Sequence, residues 1–257
     1  MILAIDIGNS DIVFGFFKND EEHLYTYRTP TSEEKSSNNY SLELATFLME
    51  KGITSNDIEG ACISSVVPIM THKILELCRD LKINSVVEIN SDTYEKLPIK
   101  VTNKHEIGTD LVCNATRAFI KMKKPCIIVD FGTALTFSII GRDGEMLGVA
   151  IAPGVKTAFE SLFLNTAKLP EVPFDIPSSV FGTDTSKAIQ AGVFYGYEGM
   201  VKGIIDQIKK EHPLDYRIIG TGGLVYKMNG LSTIFTEIDQ LLTLRGIVNI
   251  YSLVKGM

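Results

Sequence analysis

The sequence lacks any long run of basic residues, and its 25 Lys and Arg are outnumbered by 31 Asp and Glu, for a formal net charge of −6. Its densest basic stretch contains only Lys121, Lys123 and Lys124. Because binding to nucleic-acid phosphates requires a clustered cationic face, this charge distribution argues against a nucleic acid as partner. Long apolar runs are also missing, since none approaches the ~18 residues that a membrane span requires. We therefore expect no membrane partner either.

Cysteine is scarce and follows no pattern typical of a metal or redox site. Cys62, Cys78, Cys113 and Cys126 are separated by 16, 35 and 13 positions. These spacings fit neither a zinc site nor a Cys-x-x-Cys pair, so we interpret the four as buried thiols. The N-terminus has no cationic segment, and Asp6 interrupts its apolar run after only five residues. Both features argue against a secretory signal and favour a strand. Together these features predict a cytoplasmic protein.

What the sequence does contain is enough apolar material for a large core. Apolar residues make up 45% of the 257 residues and charged residues 22%, a balance that argues against intrinsic disorder. The chain is also about 1.7 times as long as a typical ~150-residue domain. We expect two compact domains or one large one.

One pattern occurs twice, with a separation of 124 positions. An apolar run ends in Asp6-Ile-Gly8 and is followed by a strand-like segment, 12–17. In the second half, Asp130-Phe-Gly132 is followed by a similar segment, 136–140. β-Branched and aromatic residues bounded by Asn, Asp and Gly are typical of β-hairpins, so the sequence predicts two α/β domains of similar plan. The similarity extends to a later strand in each half, at 58–65 and 217–223.

Helical periodicity predicts helices over 41–51, 69–81 and 185–210, the last with Asp184 as its N-terminal cap. The polar segment 31–39 predicts an exposed loop. The third helix contains four glycines, each of which costs about 1 kcal/mol relative to alanine. Either another backbone or a ligand approaches it closely, or packing compensates for a poorly formed helix. Its long apolar stripe also makes it our candidate for a subunit interface. The glycines are Gly192, Gly196, Gly199 and Gly203.

Both hairpin turns carry groups that suit a nucleoside triphosphate. Phosphates need backbone N–H groups, a glycine for close approach and hydroxyl donors, and carboxylates hold the accompanying magnesium. A single Asp-x-Gly is equally typical of an ordinary strand end, so the interpretation depends on the duplication. The segments that supply these groups are Asp6–Ser10, Asp130–Thr133 and a third glycine loop, Gly220–Gly223.

Ten short segments along the chain match the sequence pattern of one known protein family. They are Asp6–Val13, Ser64–Pro68, Gly108–Asp110 with Asn114, Val129–Thr133, Ile151–Gly154, Thr166–Pro170, Gly182 with Thr185, Gly192–Tyr197, Thr221–Leu224 and Leu242–Gly246. In these segments the chain resembles the type III pantothenate kinases, from Met1 to about Tyr251. That family belongs to the superfamily of sugar kinases, actin and heat-shock chaperone ATPases. The resemblance implies an α/β fold of two duplicated ribonuclease H-like domains, residues 1–117 and 118–257, with ATP between them.

The resemblance also implies a reaction: transfer of the γ-phosphoryl group of ATP to the terminal hydroxyl of pantothenate, the first step towards coenzyme A. It implies Mg²⁺, a monovalent cation (K⁺ or NH₄⁺), a homodimer and a cytoplasmic location. ATP binding is assigned to Asp6, Ile7, Gly8, Asn9, Ser10, Asp11, Ile12, Val13, Thr133, Gly222 and Gly223. Magnesium is assigned to Asp6 and the monovalent cation to Asp130. The acceptor-binding positions are Val101, Gly108, Thr109, Asp110, Leu111 and Thr185.

Asp110 is the candidate general base, because an attacking hydroxyl must lose a proton and a carboxylate within hydrogen-bond reach can accept it. It precedes a predicted helix, 111–120, whose dipole favours an anion at its start. Spacing alone favours a simple helix cap over a base. The match to the Gly-x-Asp element of the family reverses that preference.

The departures from the family pattern fall on the acceptor side. The family has Arg where this chain has Leu111, which removes a fork of donors suited to a carboxylate. Val101 replaces a Tyr that often contacts pantothenate. Three further positions differ: Lys104 occurs where the family typically has Pro, Thr183 where it has Lys, and Leu135 where it has Thr. Lys104 or Lys156 could compensate for the missing charge.

Three hypotheses stay open at this point. The protein phosphorylates pantothenate in a rearranged pocket, or it phosphorylates another small, less anionic alcohol against an apolar wall of Leu111 and Val101. The third hypothesis is a nucleotide-binding regulator without turnover. Intact Asp6, Asp110 and Asp130 argue against the third hypothesis.

Overall fold

The computed structural model describes residues 1–164 and 171–256. The segment Thr166–Pro170, quoted above for the family resemblance, lies outside the described residues. The chain forms two compact units: unit 1 comprises Met1–Lys121 with Leu241–Met257, and unit 2 comprises Met122–Gln240. The division after Lys121 lies four residues beyond the expected one, and the last segment joins unit 1 instead of unit 2.

The strands are β1 (Ile2–Ile7), β2 (Asp11–Phe17), β3 (His23–Pro30), β4 (Gly60–Ser65), β5 (Val86–Glu88), β6 (Cys126–Phe131), β7 (Ala134–Ile140), β8 (Met146–Pro153), β9 (Arg217–Thr221) and β10 (Glu237–Ile238). The α-helices are α1 (Ser37–Glu50), α2 (Pro68–Asp80), α3 (Thr109–Met122), α4 (Val155–Leu164), α5 (Thr185–Glu211) and α6 (Leu242–Lys255).

The two units share one sheet topology within the described residues. The strand order is β3-β2-β1-β4-β5 in unit 1 and β8-β7-β6-β9-β10 in unit 2. β1 and β6 each pair antiparallel with the following strand and parallel with the strand on their other side. The predicted duplication is therefore confirmed, and the carboxyl ends of β1 and β4, like those of β6 and β9, lie at the same edge of their sheet.

The core of unit 1 explains why the C-terminal segment belongs to it. Leu3 and Ile5 of β1 are fully buried, and α6 packs on β1 and β4. Gly246 of α6 lies against the backbone of Cys113 in α3, so closely that a β-carbon there would clash with its carbonyl. The hydroxyl of Tyr251 also bonds to Oγ of Ser85, at 2.9 Å. These contacts bring the end of the chain back to the first half.

The four predicted helices all form, whereas α4 and α6 were not predicted; among the predicted ones the main difference is where α1 begins. α1 starts at Ser37, because the side chain of Ser36 accepts a hydrogen bond from the N–H of Asn39 and caps the helix. Part of the predicted exposed loop is therefore helical. Gly52, with φ +67°, follows the end of α1. α5 begins as predicted, with Asp184 accepting from the N–H of Lys187 at 2.8 Å.

Among the described residues, no other part of the chain lies close to the glycines of α5. A β-carbon added to any of the four would meet nothing within 4 Å among the described residues. All four lie on an exposed face of a regular 27-residue helix. The four cysteines, by contrast, are free and buried, as predicted. None of the helices in residues 1–164 and 171–256 has the length and hydropathy needed to cross a bilayer.

Candidate functional site

The first predicted phosphate-binding turn joins β1 to β2 in unit 1. The N–H of Gly8 donates to the carbonyl of Asp11 at 2.9 Å and closes the turn. Thr31 holds it from the side, because its hydroxyl donates to the carbonyl of Gly8 at 2.7 Å and its N–H donates to that of Ser10 at 3.0 Å. Asn9 and Ser10 are exposed at the tip. The turn therefore presents an amide and a hydroxyl on a fixed backbone, a donor set that fits phosphate.

The other residues of the predicted ATP stretch have different surroundings. Ile7 and Ile12 are fully buried and Val13 is 9% exposed, so their side chains belong to the core. Asp11 forms an ion pair with Arg28 at 2.8 Å. Asp6 is partly exposed at the end of β1, in register with Ser64 on the neighbouring β4. Asp6 is thus the carboxylate that the end of β1 supplies beside the turn.

Asp110 lies in the first turn of α3, one residue after the helix begins at Thr109. Its Oδ1 accepts a hydrogen bond from the N–H of the next residue, Leu111, at 2.8 Å. An N-cap residue precedes the helix and accepts from two or three residues ahead, so Asp110 does not occupy the N-cap position. A β-carbon on Gly108 would clash with the Asp110 carboxylate, which explains the glycine there.

Burial raises the pKa of Asp110 above the ordinary aspartate value, although hydrogen bonds from the backbone N–H groups of Leu111 and Asp110 oppose the shift. Burial also raises the pKa of Cys113 well above its ordinary value, and the nearby Asp6 and Asp110 raise it further. Both carboxylates therefore lie near one buried thiol. Tyr94 belongs to the same region, since burial, with smaller contributions from Cys113 and Asp110, raises its pKa to about 12.

Sequence reasoning did not find the side chains around these carboxylates. Ser64 is fully buried and hydrogen-bonded to Thr109, and Tyr94 is 4% exposed. The signal available for Ser64 was its position in the segment Ser64–Pro68. Nothing in the sequence indicated Cys113, whose closeness to Asp6 arises from the packing of α3 on the sheet.

The predicted acceptor-binding residues are divided between the units. In unit 1, Leu111 and Val101 are buried, at 8% and 9% exposure, and Lys104 pairs with Glu95 at 3.2 Å. Thr109 uses its hydroxyl in bonds to Ser64 and to the carbonyl of Ser65. Thr185 is exposed at the start of α5 in unit 2.

The second predicted turn, in unit 2, is held mainly by backbone. The carbonyl of Thr133 accepts from the N–H of Gly154 at 3.0 Å and from the hydroxyl of Thr157 at 2.9 Å. A β-carbon on Gly154 would clash with the carbonyls of Gly132 and Thr133. Tyr197 of α5 fixes the same segment, because its hydroxyl donates to the carbonyl of Pro153 at 2.7 Å. This contact explains why Ile151–Gly154 and Tyr197 occur together in the pattern.

Asp130 ends β6 next to the third glycine loop. Gly222 has φ +90°, and a β-carbon on it would lie 2.5 Å from Oδ1 of Asp130 and 2.6 Å from the backbone of Phe131. Only glycine lets the loop lie so close to this carboxylate. Gly223, in contrast, has open space at its β-carbon position. The Asp130 carboxylate is an oxygen donor of the kind that fits a hard cation.

A magnesium ion at Asp6 would have few protein ligands. Within residues 1–164 and 171–256, no group of three or more His, Cys, Asp and Glu side chains is arranged as a metal site. Mg²⁺ in phosphotransferases is held by one or two carboxylates together with water and substrate phosphates. The single carboxylate of Asp6 beside a phosphate-binding turn fits that mode.

Comparison with known proteins identifies what the chain is similar to. The family model for type III pantothenate kinases matches residues 2–207. A type III pantothenate kinase from Shouchella clausii is 36% identical over 252 residues, which cover 98% of each chain. One from Finegoldia magna is 38% identical over 263 residues, covering 100% of this chain and 98% of the relative.

A solved structure supports the fold. The activator of 2-hydroxyisocaproyl-CoA dehydratase from Clostridium difficile, with bound ADPNP, superposes with a TM-score of 0.56 at 11% identity, covering 99% of this chain and 94% of that one. The fold is thus that of the actin, sugar kinase and chaperone ATPase superfamily, with two duplicated ribonuclease H-like domains, as predicted.

Proposed function

The chain belongs to the type III pantothenate kinase family, and we propose that it transfers the γ-phosphoryl group of ATP to the terminal hydroxyl of pantothenate, the first step towards coenzyme A. The observation that carries the proposal is the Asp110 carboxylate, which lies in the first turn of α3, near Asp6, with a pKa raised by burial. Full-length similarity at 36% and 38% identity to two kinases of this family supports the same reaction.

Asp110 is the group that accepts the proton of the attacking hydroxyl. A base becomes more effective as its pKa approaches the working pH, so the raised pKa favours this role. The N–H of Leu111 occupies Oδ1. We therefore assign the transferred proton to Oδ2.

The turn from Gly8 to Ser10 is our proposed site for the phosphates of ATP, with Asp6 oriented towards Mg²⁺. ATP supplies the phosphoryl group, and Mg²⁺ neutralises the charge that develops on it. Asn9 and Ser10 donate from exposed positions, and Thr31 keeps their backbone in place. We assign further ATP contacts to Thr133, Gly222 and Gly223 of unit 2.

Asp130 is our proposed ligand for a monovalent cation, K⁺ or NH₄⁺. Its carboxylate is partly exposed at the end of β6, and Gly222 brings loop backbone against it. A large monovalent ion binds through several oxygen ligands of low charge, of which the Asp130 carboxylate would be one. The negative charge of Asp130 would select a cation over water at this position.

The protein is proposed to act as a cytoplasmic homodimer, with α5 as the interface. Tyr195 and Met200 are 38% and 37% exposed on the same face as the four open glycines. Glycines on an exposed helix face allow another backbone to approach closely, which would offset their cost in helix stability. A helix from a second copy would supply that backbone.

A second acceptor class is favoured by one observation. Leu111 and Val101 are both buried and apolar, where the family has Arg and often Tyr. A less anionic alcohol would not need the missing guanidinium. Transfer to such an alcohol is the alternative to pantothenate.

Steady-state turnover of ATP with pantothenate, and then with a panel of hydroxylated metabolites, separates these acceptors. We expect the highest kcat/KM for pantothenate. A higher value for an uncharged alcohol would replace pantothenate as the substrate. Magnesium-dependent ATP binding without turnover on any acceptor would leave the regulator hypothesis and contradict the kinase proposal.

Restoring the family residue provides the sharper test of the acceptor. Leu111→Arg should lower the KM for pantothenate, because a guanidinium fork pairs with a carboxylate. Leu111→Met, which keeps an apolar side chain of similar volume, is the matched control and should leave KM unchanged. A KM that stays constant or rises in Leu111→Arg would mean that this pocket does not bind the acceptor carboxylate at position 111.

A further inference from the structure

The start of α3 is fastened to the end of β4 by a pair of hydroxyl groups. Ser64 is fully buried, and its Oγ lies 2.9 Å from Oγ1 of Thr109. The hydroxyl of Thr109 also donates to the carbonyl oxygen of Ser65 at 3.1 Å. Thr109 directly precedes Asp110, so these bonds fix the backbone from which the carboxylate projects.

The donors and acceptors of this pair, together with Cys113, can be assigned consistently. Cys113 is fully buried and hydrogen-bonded to Ser64, and its raised pKa keeps the thiol protonated. The S–H of Cys113 can donate to Ser64, the hydroxyl of Ser64 to Thr109, and the hydroxyl of Thr109 to the carbonyl of Ser65. Each group then acts once as a donor, and no buried hydroxyl of this chain of bonds is left unsatisfied.

Ser64 also lies beside Asp6, the other carboxylate of the proposed site. In the parallel pairing of β1 and β4, it is in register with Asp6. One buried residue thus touches the helix of Asp110 and neighbours the strand end of Asp6. A shift of α3 relative to this strand would change the distance between the two carboxylates.

We propose that Ser64 and Thr109 are a positioning pair that holds Asp110 in its reactive orientation. The inference rests on the proposed function, in which Asp110 is the general base. Thr109 acts here through its hydroxyl on the neighbouring backbone, which differs from the acceptor contact that the family resemblance implies for it. A misplaced reacting group commonly costs a large part of the rate.

Four substitutions test the pair. Thr109→Val keeps the shape but removes the hydroxyl, Ser64→Ala removes its partner, and Thr109→Ser restores the hydroxyl alone. Thr116→Val is the matched control, because Thr116 is a fully buried threonine of the same helix whose hydroxyl donates to the carbonyl of Val112 at 2.8 Å. It removes the same kind of bond, one that does not reach Asp110.

We expect Thr109→Val and Ser64→Ala each to lower kcat by roughly ten- to a hundredfold, with the KM for acceptor and ATP changed less than twofold. Thr109→Ser should recover most of kcat, and Thr116→Val should behave as wild type. The double variant should lose little more than Thr109→Val alone, because the Ser64–Thr109 bond that Ser64→Ala breaks is already lost in Thr109→Val. A raised acceptor KM with unchanged kcat in Thr109→Val would assign Thr109 to the acceptor and overturn the proposal.

A titration without substrates distinguishes this inference from the proposed function. The Cγ resonance of Asp110, followed by NMR against pH, should titrate at lower pH in Thr109→Val and Ser64→Ala, because a loosened helix start lets water reach the carboxylate. This shift would support the positioning pair even if pantothenate were not the acceptor. An Asp110 titration that matches Thr116→Val in both variants would overturn the pair, whatever the protein phosphorylates.

Discussion

The two turns that follow β1 and β6 come from one repeated pattern but are built differently. In unit 1 the N–H of Gly8 bonds to the carbonyl of Asp11, whereas in unit 2 that of Gly132 bonds to Ala134, so the first turn is one residue longer. The extra residue lets the first turn expose two polar side chains at its tip. The shorter turn of unit 2 exposes only one.

The anchors of the two turns are partly shared. Pro30 and Pro153 occupy equivalent positions, at the ends of the third strand of each unit. The next residue is Thr31 in unit 1 and Gly154 in unit 2, and each donates its N–H to a carbonyl of the turn at 3.0 Å. Thr31 adds a bond from its own hydroxyl, whereas in unit 2 the hydroxyl comes from Thr157 and Gly154 lies in close backbone contact with the turn. Duplication has kept the strand order and the backbone bond, while the residue that supplies the hydroxyl differs.

The largest expected effect tests whether the general base is supplied by unit 1 alone. Asp110→Asn in unit 1 should lower kcat by about 10²- to 10⁴-fold, the usual contribution of a general base. Asp130→Asn in unit 2 should instead weaken the dependence of the rate on K⁺, because it removes the proposed cation ligand. Steady-state kinetics with varied K⁺, together with calorimetric measurement of ATP affinity, checks both variants.

Asp143→Asn, a change of an exposed aspartate in the turn between β7 and β8, serves as control for the loss of one negative charge. If Asp110→Asn turns over near the wild-type rate, Asp110 has only a structural role at the start of α3. If Asp130→Asn keeps its K⁺ dependence, the cation binds elsewhere. Equal effects of the two substitutions on kcat would contradict the proposal that unit 1 supplies the base and unit 2 only a cation ligand.

A pair of glycine substitutions tests the difference in how the turns are built. Gly222→Ala should lower the free energy of unfolding by about 1–3 kcal/mol, because its φ of +90° and its contact with Phe131 leave no place for a methyl group. Gly8→Ala should lower it by less, since a β-carbon there meets only the carbonyl of Asp11, at 3.3 Å.

Urea unfolding of both variants, with Gly223→Ala as the control that has open space, measures the comparison. Stability losses of the same size at Gly8 and Gly222 would contradict it. For Gly8→Ala, the expected consequence is a weaker affinity for ATP, because the methyl group would lie in the phosphate-binding turn.

The features of the fold that could be predicted from the sequence are those that a short segment of the chain determines. The strand ends at Asp6 and Asp130 and the cap at Asp184 are encoded in short segments, and the sequence predicted each of them. The early start of α1 was missed because the cap of Ser36 lies inside a polar run that is typical of a loop. The role of Gly246 in α6 was not predicted, since its contact with Cys113 joins residues far apart in the chain.

The same distinction applies to the site. Asp110 could be identified from its Gly-x-Asp element, but not the residues that surround it. Ser64 and Thr109 are 45 positions apart and meet only because α3 packs against the end of β4. Pairings of this kind have no signature in spacing or composition, so the family resemblance could propose Asp110 as the base but could not predict the hydrogen bonds of the neighbouring Thr109.

The smallest expected effect concerns the cost in stability of ionising Asp110 in the native protein. Burial raises the native pKa of Asp110 above that of the unfolded chain, so its contribution to stability is present at low pH, where the group is neutral in both states, and is lost as the pH rises through the native pKa. Asp110→Asn stays neutral and should therefore raise Tm at pH 7, with the gain shrinking towards pH ~4, near the ordinary aspartate value. Asp130→Asn in unit 2 should show less of this trend, because it replaces a carboxylate that is partly exposed to solvent. Thermal unfolding at several pH values measures both, and a gain for Asp110→Asn that is constant with pH would mean that the carboxylate is ionised at no cost in the native protein.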